Sequence, residues 1–359
     1  MDEVQKKKKN KILRFIIIIL IVLMLLFLKK ENQEKIIDFI KAPKITNQTL
    51  NLVESIPIYE GIDDLAFYEK RIMIWKDNKL TKLKIDGSKE WEKEFNFDEP
   101  MVSFGEKNIY VYEKSTGDIY FLNETGETIN RAGLKANINN VVENFGNVLV
   151  HITKDNMEGI IILDKEGKII EDNIIDSNIL TYSMNHDGIS YAISTLNLKG
   201  NNLKSKVQGF QLNGKFLFTT ELNDEIVLYS NFIDKNKLIV MTDKSLYLIN
   251  NGNILWEKQF KLIKDIYVHN GKINVLYGNV LETISADGET EEKYNFTEDY
   301  KKIILYDKYI VLYGDDYMIG LINGKEAFKY KSEENILKVV EENQNLIVVY
   351  GNKIELLSL

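Results

Sequence analysis

A turn glycine recurs along this chain at nearly constant spacing, and that spacing constrains the fold more than any other feature. The segment Ser245 to Phe260, SLYLINNGNILWEKQF, shows the repeated unit, two short apolar runs joined by an Asn/Gly turn. It predicts a β-hairpin, because glycine accepts the positive φ of primed two-residue turns and the flanking residues suit a pleated, half-buried surface. The equivalent glycines, separated by 39, 41, 47, 38, 36 and 36 residues, are Gly87, Gly126, Gly167, Gly214, Gly252, Gly288 and Gly324.

Each period from residue 47 onward divides into four short strands, a to d from the axis outward. In the second unit they are PMVSFGE, NIYVYEK, DIYFLNE and ETINRAG. The b and c strands are the more apolar, as expected for strands covered on both faces, and the d strands carry the alternating charges of an exposed edge. No stretch after residue 44 shows sustained helical periodicity. Repeats of this length and strand content are typical of an all-β propeller.

Eight segments fit the c strand, which sets the number of blades. The eighth, KIELLSL, ends the chain without a d strand, whereas TLNLVESIPIYE at residues 49 to 60 is left over before the first complete unit. We expect this segment to supply the outer strand of the last blade and to close the ring non-covalently. The sequence therefore predicts an eight-bladed β-propeller over residues 47–359. Seven blades are the alternative if residues 49 to 75 do not form the assigned strands.

An apolar run near the N-terminus predicts a single membrane anchor. Residues 15 to 28, FIIIILIVLMLLFL, are uninterrupted, and residues 12–28 form the predicted transmembrane helix, which spans roughly 26 Å at about 1.5 Å per residue. Arg14 and Lys29 can extend to the two interfaces. Because no small-residue cleavage site follows, we expect an uncleaved anchor rather than a signal peptide, and an all-apolar run argues against a buried soluble helix.

Charge predicts the orientation of the chain. Six Lys or Arg residues fall within the first fourteen positions. By the positive-inside rule residues 1–11 form a cytoplasmic basic tail, and the propeller lies outside the cytoplasm, at the cell membrane. Residues 29–46 are interpreted as a short stalk, in which residues 34 to 41 are compatible with a helical turn or two that Pro43 ends. Residues 1 to 44 contain 11 basic and 5 acidic residues, which leaves 35 basic and 49 acidic residues, or −14, for the rest. That charge disfavours nucleic-acid binding.

No familiar catalytic or metal-binding motif stands out. The chain has no cysteine, which excludes disulfides, thiolate metal sites and cysteine nucleophiles. His151, His186 and His269 lie in different units without a partner at metal-ligand spacing, and we expect His151 and His269 to be surface or hydrogen-bonded strand residues. Asp63 and Asp64, like residues 315 and 316, are adjacent, so as strand residues they would point to opposite faces. The sequence therefore proposes no catalytic, cofactor-binding or metal-ligating residue, and no cofactor.

One repeat is longer than the others. The 47-residue spacing before Gly214 arises from TLNLKGNNLKSKV, residues 195 to 207, which we interpret as a long loop between the b and c strands of the fourth unit. A long loop on a rigid scaffold can carry binding function, and it can equally be an unconstrained surface loop.

The turn at residues 248 to 257, LINNGNILWE, is similar to the repeat of the PQQ-like (quinoprotein-type) β-propeller family, and SKEWE at residues 88 to 92 is the second good match. The tryptophan four residues after the glycine is replaced in the other units, by Asn130, Glu171, Phe218, Glu292 and Phe328. The resemblance covers residues 47 to 359 and implies the fold. Enzymatic members bind a quinone with calcium, often beside a vicinal disulfide that this chain cannot form. With its tail and anchor the chain also resembles uncharacterised membrane-anchored propeller proteins of low-GC Gram-positive bacteria, which implies no particular activity.

Three classes of function are compatible with this sequence. The preferred one is a non-enzymatic protein-interaction platform or sensor in the cell envelope, with a monomeric propeller and an envelope protein as partner. The alternatives are a propeller enzyme that acts on envelope polysaccharide or peptide through axial carboxylates, and a binder of a small cofactor, quinone or metal.

Overall fold

The computed structural model describes residues 48–58, 61–68, 71–199 and 202–359. Within these ranges the chain forms 32 β-strands in eight four-stranded antiparallel sheets, which are the blades of a propeller. The prediction of eight rather than seven blades is confirmed. The predicted tail (1–11), transmembrane helix (12–28) and stalk (29–46) lie outside the described residues. In the part that is described, no helix has the length and apolar character needed to cross a membrane.

Every blade consists of four strands in the predicted order a, b, c and d. Blades 1 to 4 consist of β2 (Asp64–Tyr68), β3 (Arg71–Lys76), β4 (Lys79–Lys84) and β5 (Lys89–Glu94); β6 (Pro100–Phe104), β7 (Ile109–Glu113), β8 (Asp118–Leu122) and β9 (Thr128–Gly133); β10 (Asn137–Asn144), β11 (Asn147–Lys154), β12 (Met157–Leu163) and β13 (Ile169–Ile175); β14 (Asn178–Met184), β15 (Ser190–Lys199), β16 (Asn202–Gln211) and β17 (Phe216–Asn223).

Blades 5 to 8 consist of β18 (Val227–Phe232), β19 (Lys237–Thr242), β20 (Ser245–Asn250) and β21 (Asn253–Gln259); β22 (Ile263–His269), β23 (Lys272–Tyr277), β24 (Val280–Ile284) and β25 (Thr290–Asn295); β26 (Lys302–Tyr306), β27 (Tyr309–Tyr313), β28 (Tyr317–Ile322) and β29 (Lys325–Lys331); β30 (Lys338–Glu342), β31 (Asn345–Val349), β32 (Lys353–Ser358) and, from the other end, β1 (Asn51–Pro57).

Burial follows the position of each strand in its blade. The b strand β7 is buried at every residue, and the c strand β20 at all but its last. The d strand β5, KEWEKE, alternates between exposed and half-buried side chains. Strands in the middle of a blade are covered on both faces by the neighbouring blades, whereas the outer strand has one free edge. The hydrophobic cores accordingly lie between blades.

The connections define two faces of the ring. Because each blade is antiparallel, its b–c turn lies at the same end as the crossing to the next blade, and we call this end the bc face. The a–b and c–d turns lie at the opposite end, the ab face.

The seven turn glycines lie in c–d turns on the ab face, and all have positive φ, from 69° to 85°. Asn251 and Gly252 form a two-residue turn between the paired Asn250 and Asn253, as predicted for that hairpin. In most of the other blades the turn is one residue longer. The amide of Gly126, for example, donates to the Asn123 carbonyl at 3.0 Å, and a β-bulge follows in the d strand.

Turn glycines also dock the blades together. The tryptophan ring four residues after one turn glycine packs on the turn glycine of the next blade. A Cβ atom built on Gly126 would lie 3.0 Å from the Trp91 ring, and one built on Gly288 would lie 2.8 Å from Trp256. The Trp256 indole also donates to the Ala286 carbonyl at 3.1 Å. The glycine at these turns therefore serves both the backbone conformation and the close approach of the next blade.

The ring closes as predicted from the leftover N-terminal strand. Strand β1 pairs with β32 from Asn51↔Ser358 to Pro57↔Lys353, so blade 8 has a d strand from the opposite end of the chain. Contacts to blade 7 extend this closure. Leu50 is buried in the core between blades 7 and 8, and the hydroxyl of Tyr309 donates to Gln48 Oε1 at 2.6 Å.

The predicted loop at residues 195 to 207 is largely a β-hairpin, which corrects the sequence interpretation. Strands β15 and β16 are ten residues each and remain paired as far as Lys199↔Asn202. The Gly, Asn and Lys content suggested a loop. Polar residues are nonetheless compatible with a strand when a continuous ladder satisfies the backbone hydrogen bonds.

Candidate functional site

The a strands of blades 8, 1, 2 and 3 line an axial cleft of about 510 Å³. A cleft at the centre of a rigid ring is the default candidate for a binding site. Its charged residues are Asp64, Glu143, Glu341, Glu342 and Lys338, so four acids against one base give the cleft a net charge of −3.

The charged groups of the axial cleft are held by protein hydrogen bonds. The Lys338 ammonium donates to the Leu65 carbonyl at 3.2 Å and lies 4.0 Å from the Asp64 carboxylate. The Glu143 carboxylate accepts the hydroxyl of Tyr110 at 2.9 Å. Burial, followed by the Glu143 carboxylate, raises the pKa of Tyr110. The Tyr110 phenol therefore stays protonated at neutral pH and acts as a hydrogen-bond donor. Because its net charge is negative, the cleft is suited to attract cationic groups rather than anions.

The adjacent carboxylates noted in the sequence do not act as pairs. Asp64 Oδ1 accepts the amide of Leu65 at 2.8 Å, whereas Asp63 Oδ2 faces the amide of Asp77 at 3.3 Å. Residues 315 and 316 lie in a b–c turn rather than on a strand, so the argument from alternating strand faces does not apply to them. There, Asp315 forms an ion pair with Lys301.

The three histidines lie in blades 3, 4 and 6, as the sequence predicts. His151 Nε2 lies 3.0 Å from Glu158 Oε2, His186 Nε2 lies 3.1 Å from the Phe232 carbonyl oxygen, and the His269 ring stacks on Tyr267. Among the residues that the structure describes, no group of three or more His, Cys, Asp or Glu side chains could hold a metal ion.

Sequence reasoning missed an apolar surface on the outer rim of blades 2 to 5, near the ab face. Its six side chains are 39 to 50% exposed and follow the turn glycines by two or three residues. We call it the rim patch, and its members are Ile129, Ile169, Phe216, Leu217, Ile254 and Leu255. The same positions hold Lys89 and Glu90 in blade 1 and Thr290 and Glu291 in blade 6. This difference between blades was readable in the sequence once the turns were aligned.

The long hairpin of blade 4 borders a second surface, on the bc face. Residues 196 to 198 line a groove of about 480 Å³ together with Asn156 and Glu158 of blade 3 and residues 176 to 178. Leu198 is 64% exposed there. Glu158 is already bonded to the amide of Ile179 at 2.6 Å, so its carboxylate has a structural role in this groove.

Comparison with known sequences identifies the family. A family of unknown function, DUF5711, matches residues 46–359, which is most of the chain. The chain belongs to DUF5711. No curated protein matches this DUF5711 sequence.

Solved structures are similar to the DUF5711 chain in fold. BamB from Moraxella catarrhalis aligns with a TM-score of 0.61 and 11% identity over 87% of this chain and 100% of that one. Sqt1 from Saccharomyces cerevisiae aligns with 0.64 and 10% identity over 87% and 99%. Apo AztD from Citrobacter koseri aligns with 0.53 and 12% identity over 76% and 86%. At these identities the similarity establishes the fold alone, which is the β-propeller that the repeats predict.

Proposed function

We propose that this protein is a membrane-anchored, extracytoplasmic β-propeller that acts as a non-enzymatic protein-interaction platform or sensor in the cell envelope. The rim patch carries the proposal, because exposed apolar side chains that recur at equivalent positions of consecutive blades are typical of a site covered by a partner. The propeller fold shared with BamB supports it as a rigid scaffold that presents such a surface.

The rim patch is built into the repeat rather than scattered over the surface. Its residues occupy the same two positions after the turn glycine in four consecutive blades. Exposed apolar residues next to an edge strand are an aggregation hazard, and blades 1 and 6 place charged or polar residues at these positions. Their presence in blades 2 to 5 therefore favours a partner that covers this side of the ring.

The proposed location outside the cytoplasm limits the partner to the cell envelope. Six basic residues lie within the first fourteen positions, at the N-terminal end of the predicted span, and no cleavage site follows the span. Alkaline phosphatase fused after Leu359 is expected to be active, whereas a fluorescent protein that matures only in the cytoplasm is expected to stay dark. Strong fluorescence from that fusion would contradict the proposed topology.

Photo-crosslinking from the rim tests the function. A photoreactive residue at Leu255 of the full-length chain, expressed in its own cells, is expected to give a discrete protein product that Glu291, the equivalent position of blade 6, does not give. Replacing Phe216 and Leu217 by the Lys-Glu pair that blade 1 holds at these positions should abolish the product without unfolding the ring. Identical products from both positions, or crosslinks to lipid alone, would refute the protein-platform proposal.

A further inference from the structure

A row of polar side chains crosses blade 6 at a level where the other blades are mainly apolar. The strand register pairs Tyr267 with Asn274, Asn274 with Thr283 and Thr283 with Glu292, so the four side chains form a row from the axis to the rim. The b and c strands of the other blades place these pairs at the equivalent register: Met73–Lys82, Tyr110–Phe121, Leu149–Ile162, Ala192–Gly209, Ile239–Leu248, Val311–Gly320 and Ile347–Leu356.

The centre of this row is deeply buried. Asn274 is 2% and Thr283 3% exposed. The Thr283 hydroxyl donates to Asn274 Oδ1 at 2.9 Å, and the Asn274 amide donates to the Tyr267 carbonyl at 3.3 Å. These bonds use the hydroxyl hydrogen and one of the two amide hydrogens, which leaves one donor and the hydroxyl lone pairs for a further partner. A buried amide and hydroxyl contribute less to stability than an apolar pair such as Ile239–Leu248 of blade 5.

The polar row forms one wall of a cleft of about 320 Å³ between blades 6 and 7. Glu292 stands where Trp91 and Trp256 dock in their blades, and Tyr294 lies over the next turn glycine instead. A Cβ at Gly324 would clash with the hydroxyl oxygen of Tyr294, so no side chain fits at that turn. Glu292 lines the cleft in place of that tryptophan, and the volume of the cleft is within the range of about 300–1,000 Å³ for small-molecule sites.

Aromatic rings and balanced charges define the remaining walls of this cleft. The rings of Tyr267 and His269 lie 6.3 Å apart and stack at 25°. Four charged groups line the same cleft, two acidic and two basic, and they cancel: Glu292, Asp307, Lys272 and Lys308. Because these formal charges cancel, the cleft as a whole has no net attraction for anions or for cations.

We propose that the cleft between blades 6 and 7 binds a neutral polyhydroxylated ligand, a sugar unit of a glycan. A sugar hydroxyl both donates and accepts hydrogen bonds, which matches the remaining amide donor of Asn274 and the hydroxyl acceptor of Thr283 in the wall of the cleft. The carbon-bound hydrogens on one face of a sugar ring suit the apolar faces of Tyr267 and His269. This cleft is separate from the rim patch, so the sugar-binding proposal is tested independently of the protein-platform proposal.

Saturation-transfer NMR on the full-length chain tests the binding. The protein is held in a detergent without a sugar head group, and the probes are glucose, galactose, N-acetylglucosamine and glucose 6-phosphate at low-millimolar concentration. We expect saturation transfer to at least one of the three neutral sugars and a weaker effect for the phosphorylated one. No transfer to any neutral sugar, or a preference for the phosphate, overturns the proposal.

A paired substitution places the binding in the cleft. The double variant Asn274→Leu/Thr283→Val removes both hydrogen-bonding partners together, so it should bind at least about tenfold more weakly while its unfolding midpoint is unchanged or higher. Thr220→Val is the control, because this buried hydroxyl donates to the Gly252 carbonyl at 2.8 Å outside the cleft. If the double variant does not fold, Glu292→Ala replaces it. Sugar binding unchanged in the folded variant used overturns the proposal.

Discussion

Replacing Gly288 by alanine tests whether the turn glycines hold the blades together. Two effects oppose the substitution. The φ of Gly288 is +85°, a backbone conformation that costs an L-residue about 1–2 kcal/mol. In addition, the new Cβ would lie 2.8 Å from the Trp256 ring, which the Ala286 carbonyl holds in place. Overpacking of this kind costs about 1–3 kcal/mol. We therefore expect Gly288→Ala to destabilise the propeller by about 2–5 kcal/mol.

Gly271 provides a matched control in the same blade. Its φ is +72°, but a Cβ at this position has no neighbour within 4 Å. Gly271→Ala should therefore lose only the backbone contribution, about 1–2 kcal/mol. Urea unfolding of both variants measures the difference, which we expect to be about 1–3 kcal/mol.

A double-mutant cycle with Trp256→Ala completes the test. Removing the ring removes the clash, so alanine at position 288 should cost no more in that background than Gly271→Ala costs in the wild type. Equal losses for the two glycine variants, or additive effects of the alanines at 256 and 288, would refute the docking argument.

Two further predictions concern acid stability and ring closure. Burial alone would raise the pKa of Glu282, but hydrogen bonds from Thr290, Lys258 and Tyr277 outweigh it and lower the pKa from 4.5 to about 2. The folded state therefore favours the ionised carboxylate, and up to about 3 kcal/mol of stability present above pH 4.5 should be lost as the pH falls towards 2. Urea unfolding across this pH range should show a weaker acid dependence for Glu282→Gln, and parallel profiles would contradict this role. Deleting residues 49 to 58 should remove β1 and expose the edge of β32. We expect the free energy of unfolding to fall by several kcal/mol, on the order of half the value for a typical domain. An unchanged melting temperature would show that β1 does not close the ring.

Much of the fold was predictable because a propeller is a local repeat. A turn glycine and alternating apolar residues indicate each hairpin, so the four strands of a blade could be counted along the chain. Even the long-range pairing of β1 with β32 followed from the strand missing at one end and the strand left over at the other. The hairpin at residues 195 to 207 was misjudged, since composition alone does not show whether a ladder satisfies the backbone.

The candidate sites depend on neighbours that no local pattern displays. Tyr267, Asn274, Thr283 and Glu292 lie on four different strands and become one row only when the register of three strand pairs is known. A shift of one residue in any pair would turn a side chain to the other face of the blade. The axial cleft likewise combines the a strands of three consecutive blades, 1 to 3, with that of blade 8 from the other end of the described chain. The sequence by itself determined the repeats, their number and the closing strand, because these depend on local turns and periodicity. Only the tertiary structure decided which polar side chains meet, because that depends on register and on the packing of one blade against the next.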